Sequence, residues 1–206
     1  MWNSQVIIML LEGIRDTLYM TLASTLFGYI IGLPMGIVLT VTDKDGIRPN
    51  AAVYKVLDVI SNLLRSIPFI ILLIVLIPFT RFVVGRSYGS TATIVPLTIA
   101  AAPYIARMVE SSLKEVDAGV IEAARSMGAS DFQIVTKVML VEARTSLIVG
   151  ATISLGTILG YSAMAGTVGG GGLGDIAIRY GYTRWQTDIM VVTVVLLVIL
   201  FQIFQT

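Results

Sequence analysis

Few residues in this chain stand at spacings that could do chemistry. Gly169, Gly171 and Gly174 fit G-x-G-x-x-G, the spacing that cradles a pyrophosphate when a strand precedes it and a helix follows. Here a helix-length apolar run precedes it, so the better reading is a flexible outer connection dipping back toward a pore. Asp43-Lys44-Asp45-Gly46 opens like a calcium loop, but the Glu that completes such a loop is missing, which leaves a turn. No G-x-x-x-x-G-K-S/T occurs, so the chain has no phosphate cradle with which to hydrolyse ATP. Histidine and cysteine are absent. That removes disulfides, zinc sites, iron–sulfur clusters and haem ligation through either residue. It also removes the commonest general base and the His-dependent nucleophile pairs. A Ser–Lys pair is the covalent option left, and every lysine falls at the edge of an apolar run. No catalytic, metal or cofactor site is therefore expected.

One polar stretch stands out against its surroundings. EAARSMGAS (Glu122–Ser130), preceded by Lys114, Glu115 and Asp117, lies between long apolar runs. Residues 114–145 read as two short helices with a hinge. Asp117 can cap the first. Gly128 suits the left-handed position just past its end. Ser130-Asp131-Phe132-Gln133 then forms a capping box for the second. Ile121, Ala124 and Met127 would share a face of the first helix, and the Ala123–Ala124 pair keeps part of its surface thin. A paired-helix knob of this kind is shaped to fit a groove in another protein.

The elements that must position this knob are membrane spans. Hydrophobic residues make up 56% of the 206-residue chain and charged residues 13%, with a mean hydropathy of +0.88; a soluble domain of this size does not need so much apolar material. The net charge of +1 gives no sign of a nucleic-acid partner. Five stretches can cross a bilayer, which takes about 20 apolar residues as a helix. They are 17–41, 51–84 as one long helix with an amphipathic lead-in, 91–108, 146–165 and 188–204. Val6–Leu11 is too short to span and is expected at the membrane surface, with Trp2 in the headgroup layer. No basic residue precedes Arg15, so no cleavable signal peptide is expected. Pro34, Pro68, Pro78, Pro96 and Pro103 fall inside the spans, where neighbouring helices let prolines act as kinks. Gly28, Gly32 and Gly36 recur every four residues and allow close helix approach. With the N-terminus outside, inner connections carry Lys44, Arg48, Lys55, Arg107, Lys114, Arg125, Lys137 and Arg144, with Arg65 nearby. Outer ones carry Arg15, Arg81, Arg86, Arg179 and Arg184. This bias favours a cytoplasmic knob.

The knob resembles the EAA loop of ABC-importer permeases: E-A-A, three residues, G, nine residues, I-x-L-P. Glu122, Ala123, Ala124, Gly128 and Leu140 match; Val138 replaces the Ile and Val141 stands where the family has Pro. Arg65–Arg81, Ile94–Glu110 and Gly160–Asp175 are similar to the methionine-type members of that family. The resemblance implies an all-α bundle of five transmembrane helices with type I importer architecture, working as a homodimer in a bacterial inner membrane. It implies a pair of cytoplasmic ATPase subunits, which bind the ATP and magnesium, and an external methionine-binding protein. Glu122 would make a charged or capping contact to the ATPase, Ala123 and Ala124 would give clearance, and Gly128 would set the bend, with Val138 and Leu140 completing the loop. Along the passage, Ser66, Tyr161, Ser162 and Met164 are the candidate lining and gate residues, Met164 as an apolar plug. A permease for another small amino acid is the alternative. A secondary transporter would need intramembrane acids, and the span cores hold none.

Overall fold

The computed structural model describes residues 4–205; Trp2 lies outside the described residues. Among those residues all regular structure is helical. Helix α1 runs Ser4–Thr42, 39 residues, and passes Pro34 without ending. The expected surface segment 6–11 is thus not a separate element but the first turns of α1. Nothing between residues 4 and 17 stops the hydrogen-bond ladder, because a lone glycine such as Gly13 weakens a helix by only about 1 kcal/mol.

The expected long helix 51–84 is broken into three. Helix α2 is Ala51–Ser66, α3 is Phe69–Val75 and α4 is Ile77–Val84. Pro68 is extended, with ψ at 132°, and proline pushes its predecessor out of the helical region. The Ser66 hydroxyl closes α2 by donating to the Asn62 carbonyl at 2.7 Å. The second break precedes Pro78, in the first turn of α4, where a missing N–H costs nothing. Helix α5, Ser90–Lys114, passes Pro96 and Pro103 intact.

After α5 come α6 (Ala118–Ser126), α7 (Asp131–Gln133), a π-helical stretch (Ile134–Met139) and α8 (Leu140–Glu142). Helix α9 is Arg144–Ala165, α10 is Gly172–Ile176, and α11 is Thr187–Gln205. Among the described residues four helices, α1, α5, α9 with its continuation, and α11, are long and apolar enough to cross a membrane; the broken pair α2–α3 makes the fifth candidate crossing. Large apolar side chains stay exposed along α1 and α11, among them Leu22, Leu26, Ile30, Val191, Val195 and Val198. Lipid supplies the apolar surroundings that such faces require.

The chain forms two compact units. The first gathers residues 4–27, Ile67–Ala100 and 155–205. Its core holds Met20, Phe69, Leu73, Leu97 and Ala165 in one cluster and Leu10, Leu173, Ile176 and Ile189 in another. The glycine-rich segment lies here, and it is packed helix where a flexible connection was expected. A 3-10 turn, Gly166–Val168, leads to α10, and a π-helical stretch, Ala177–Tyr182, follows. A Cβ on Gly174 would collide with the Ala163 carbonyl, so these glycines let backbones touch. Thr17 on α1 ties the segment down: its hydroxyl accepts from the Leu173 N–H at 2.9 Å and donates to the Gly13 carbonyl at 2.8 Å.

The second unit gathers Gly28–Ser66 and Ala101–Ser154. Gly28, Gly32 and Gly36 form its seam. A Cβ on Gly32 would sit 2.6 Å from the Ala102 carbonyl oxygen, and one on Gly36 2.5 Å from that of Ala106. Ile105, Ala106 and Val109 on α5 are buried beside it. The four-residue spacing therefore serves close helix packing.

Candidate functional site

The polar insert belongs to the second unit, and capping fixes its shape. Asp117 caps α6 by accepting from the Gly119 N–H at 2.8 Å. At the other end Gly128 has φ +84°. Its N–H donates to the Arg125 carbonyl at 3.0 Å, and the Ala129 N–H donates to Ala124 at 3.1 Å. That pair of bonds is a Schellman closure. Ser130 and Gln133 then make a reciprocal capping box at the start of α7. From there the chain stays helical through Val138 and Leu140 to Glu142, and bonds from Ala143 to Met139 and from Leu147 to Ala143 carry it into α9. Val141, in the place of the family's Pro, is exposed within this run.

Burial separates the insert into two sides. Ala124, Ile134 and Met139 are buried within the unit, and Val138 and Leu140 are half-buried. Glu122 and Ala123 are exposed, as are Val120, Met127 and Phe132, the last two at 82% and 75%. Of the expected shared face of Ile121, Ala124 and Met127, Ala124 is buried and Ile121 half-buried, whereas Met127, on the C-cap of α6, stays in the open. Phe132, expected only as a member of a capping box, becomes an exposed aromatic beside the hinge. A Phe flanked by Asp131 and Gln133 in the first turn after the Ser130 cap is the signal that could have found it.

Helix α6 is tied down by Arg125, whose guanidinium donates to the Ile47 carbonyl at 2.7 Å. A recess of about 420 Å³ lies beside it, lined in part by Asp43, Ile47, Lys114, Ile121, Glu122 and Arg125.

Sequence reasoning missed a charged cluster in the same unit. Glu110 on α5 is 5% exposed and accepts from Arg107 at 2.7 Å, Lys114 at 2.8 Å and the Tyr54 hydroxyl at 3.2 Å. Arg107 also pairs with Asp58 and donates to Asn62 at 3.1 Å. Lys114 reaches Asp43, just past the end of α1, at 2.6 Å. The Lys114 hydrogen bond holds the Asp43 carboxyl below the usual carboxylate range. The signal was present as two helical spacings: Arg107, Glu110 and Lys114 on α5, and Tyr54, Asp58 and Asn62 on α2.

The expected passage residues are divided between the units. Ser66 ends α2 in the second unit, exposed, with its hydroxyl on Asn62. Tyr161, Ser162 and Met164 share α9 in the first unit. Tyr161 stacks on Phe69 with ring centroids 4.6 Å apart. Ser162 is buried and donates to the Leu159 carbonyl at 2.7 Å. Met164 is 46% exposed.

Helices long and apolar enough to cross a membrane, with a capped polar insert between two of them, define a multi-pass membrane protein. The chain belongs to the binding-protein-dependent transport system inner membrane component family, whose profile matches residues 18–206. The probable D-methionine transport system permease protein MetI of Vibrio cholerae serotype O1 is 48% identical over 198 residues, 96% of this chain and 88% of that one. The D-methionine transport system permease protein MetI of Escherichia coli K12 is 54% identical over 158 residues, 77% of this chain and 73% of that one. An inward-facing structure of the MetNI methionine ABC transporter superposes with a TM-score of 0.97 at 51% identity, covering 99% of this chain and 94% of that one. An amino acid ABC transporter with histidines, at 20% identity and a TM-score of 0.79, shares the fold; it covers 98% of this chain and 91% of that one. The chain is thus the permease subunit of an ATP-driven importer, and the ATPase is a separate chain.

Proposed function

We propose that this permease admits methionine, in L and D forms, and works as a homodimer whose two inserts are gripped by a pair of cytoplasmic ATPases. The observation that carries the coupling role is the insert's construction. Caps at both ends of α6 and at the start of α7 make it rigid, while Glu122, Ala123, Met127 and Phe132 stay exposed on it. A stiff knob with a small apolar face fits a groove in a partner. Glu122 supplies a charged contact at the edge of that groove, Ala123 gives clearance, and Gly128 fixes the angle between the two insert helices. Ala124, Val138 and Leu140 support the knob from within. Closure of the ATPase pair on ATP pulls the inserts together, and the bundles rock as rigid bodies between inward-open and outward-open states. ATP and magnesium are held by the ATPases, and an external binding protein delivers the cargo.

Methionine as cargo is supported by relatives at 48% and 54% identity that carry D-methionine transport names. Along the passage Met164 acts as an apolar plug, with Tyr161 and Ser66 beside the path. Ser162, its hydroxyl committed to Leu159, shapes α9 without touching cargo. The N-terminus lies outside and the insert in the cytoplasm, in line with the excess of Lys and Arg on that side.

The test is uptake of labelled L- and D-methionine into vesicles holding the complete transporter, with ATP inside and binding protein outside. ATP-dependent methionine uptake is expected. Uptake of another small amino acid in its place would overturn the cargo, and uptake without ATP would overturn the coupling.

A further inference from the structure

The charged cluster of the second unit lies at the root of the insert, where Lys114 ends α5 and, with Asp43, lines the recess beside α6. Five ionisable groups meet there from three chain segments: Asp43 after α1, Asp58 on α2, and Arg107, Glu110 and Lys114 on α5. Tyr54 joins through its hydroxyl on Glu110, and its ring lies 5.7 Å from the Lys114 ammonium. Arg107 and Glu110 are nearly sequestered, with side chains 17% and 6% exposed. Buried ion pairs add little net stability compared with apolar residues of the same volume, because desolvation offsets their attraction. Their geometric demands are strict, however: removing one partner leaves a buried charge without its counterion.

We infer that Glu110, with Arg107, Asp58, Lys114, Asp43 and Tyr54, is a clamp that positions α2 and the second-unit parts of α1 and α5 as one body, so that movement of the insert reaches those segments undiminished. Helix α6 is joined to the same assembly, since Arg125 binds the Ile47 carbonyl in the segment between Asp43 and α2. A pull on α6 therefore acts on the exit of α1, and the Asp43–Lys114–Glu110 chain of contacts passes it to α5 and α2. Apolar contacts alone would let α2 slide along α5, whereas Arg107 engages Asp58 and Asn62, one turn apart on α2, and fixes the register. These are positioning residues, and the inference rests on the transporter reading above.

Two measurements test it. In vesicles holding the complete transporter, uptake per ATP hydrolysed is compared for the wild-type chain, Glu110→Gln, Asp58→Arg and Arg107→Asp. Glu110→Gln is expected to lower uptake per ATP roughly tenfold, within the range that coupling substitutions span, while ATP hydrolysis continues. Each single charge reversal should uncouple, because each sets like charges against each other within the cluster. The second measurement needs only the full chain in detergent. With no native cysteine, spin labels on cysteines replacing the exposed Lys55 and Ser111 report the α2–α5 distance, and Glu110→Gln should broaden it. Unchanged uptake per ATP in these variants or an unchanged label distance would overturn the clamp. A wild-type complex lacking ATP-dependent uptake would instead overturn the functional reading, and the label distance would still judge the clamp.

Discussion

Two kinds of glycine act in this chain, and they fail in different ways. Gly128 has open space around it, with nothing within 4 Å of where a Cβ would stand, but its φ is +84°. A β-branched residue there would be strained by roughly 1–2 kcal/mol through backbone conformation alone. Gly128→Val is therefore expected to leave insertion intact and to abolish transport-coupled ATPase activity, because the knob's bend changes while the spans do not. Coupled activity at the wild-type level would remove the hinge role. Asp43 acts through charge. Its carboxyl is held below the usual range by Lys114, so its contribution to stability is full above the unfolded value of about 4 and is lost as pH falls through the lowered folded value. Acidifying the detergent-solubilised chain should lower its thermal midpoint, and Asp43→Asn should reduce that acid-side loss. Equal acid sensitivity in both proteins would show that the pair does not matter to folding.

At the scale of elements, helix seams and breaks decide the architecture. Gly32 and Gly36 have ordinary helical backbones, and their constraint is the α5 carbonyls of Ala102 and Ala106. Gly36→Leu should force the α1–α5 seam apart and destabilise the protein by about 1–3 kcal/mol, as overpacking does, read as a lower thermal midpoint and poorer yield from membranes. A midpoint unchanged from wild type would mean that the seam yields freely. Thr17→Val is the matching experiment in the other unit. It keeps the side chain's shape but strips the buried Leu173 N–H of its acceptor, which should cost about 1–3 kcal/mol. Proline position explains the other differences. Pro34, Pro96 and Pro103 are carried within long helices, while Pro68 and Pro78 coincide with helix breaks. Sequence identifies each as a possible kink; which ones become breaks depends on how the neighbouring helices pack.

At the scale of the whole molecule, the insert must stand on the side where its motor works. Cysteines placed at exposed Met127 and Phe132 in the cysteine-free chain should react with an impermeant thiol reagent only when it reaches the cytoplasmic face. Labelling from the outside in intact cells would refute the proposed orientation and, with it, coupling through the insert.

Local rules were enough to reveal the membrane class, four helices long and apolar enough to cross a bilayer, both insert caps and the left-handed glycine, because hydropathy, capping and backbone conformation each depend on residues close in the chain. The EAA pattern was also visible in one short stretch. Tertiary structure decided the rest. It turned Met127 outward and Ala124 inward, broke the second span at Pro68, and packed the glycine-rich segment instead of leaving it loose. It also brought Tyr54 and Asp58 to Arg107 and Glu110 from about fifty residues away. No local signal says which distant backbone a glycine will touch or which carboxylate an arginine will find, because those energies exist only once the helices have met.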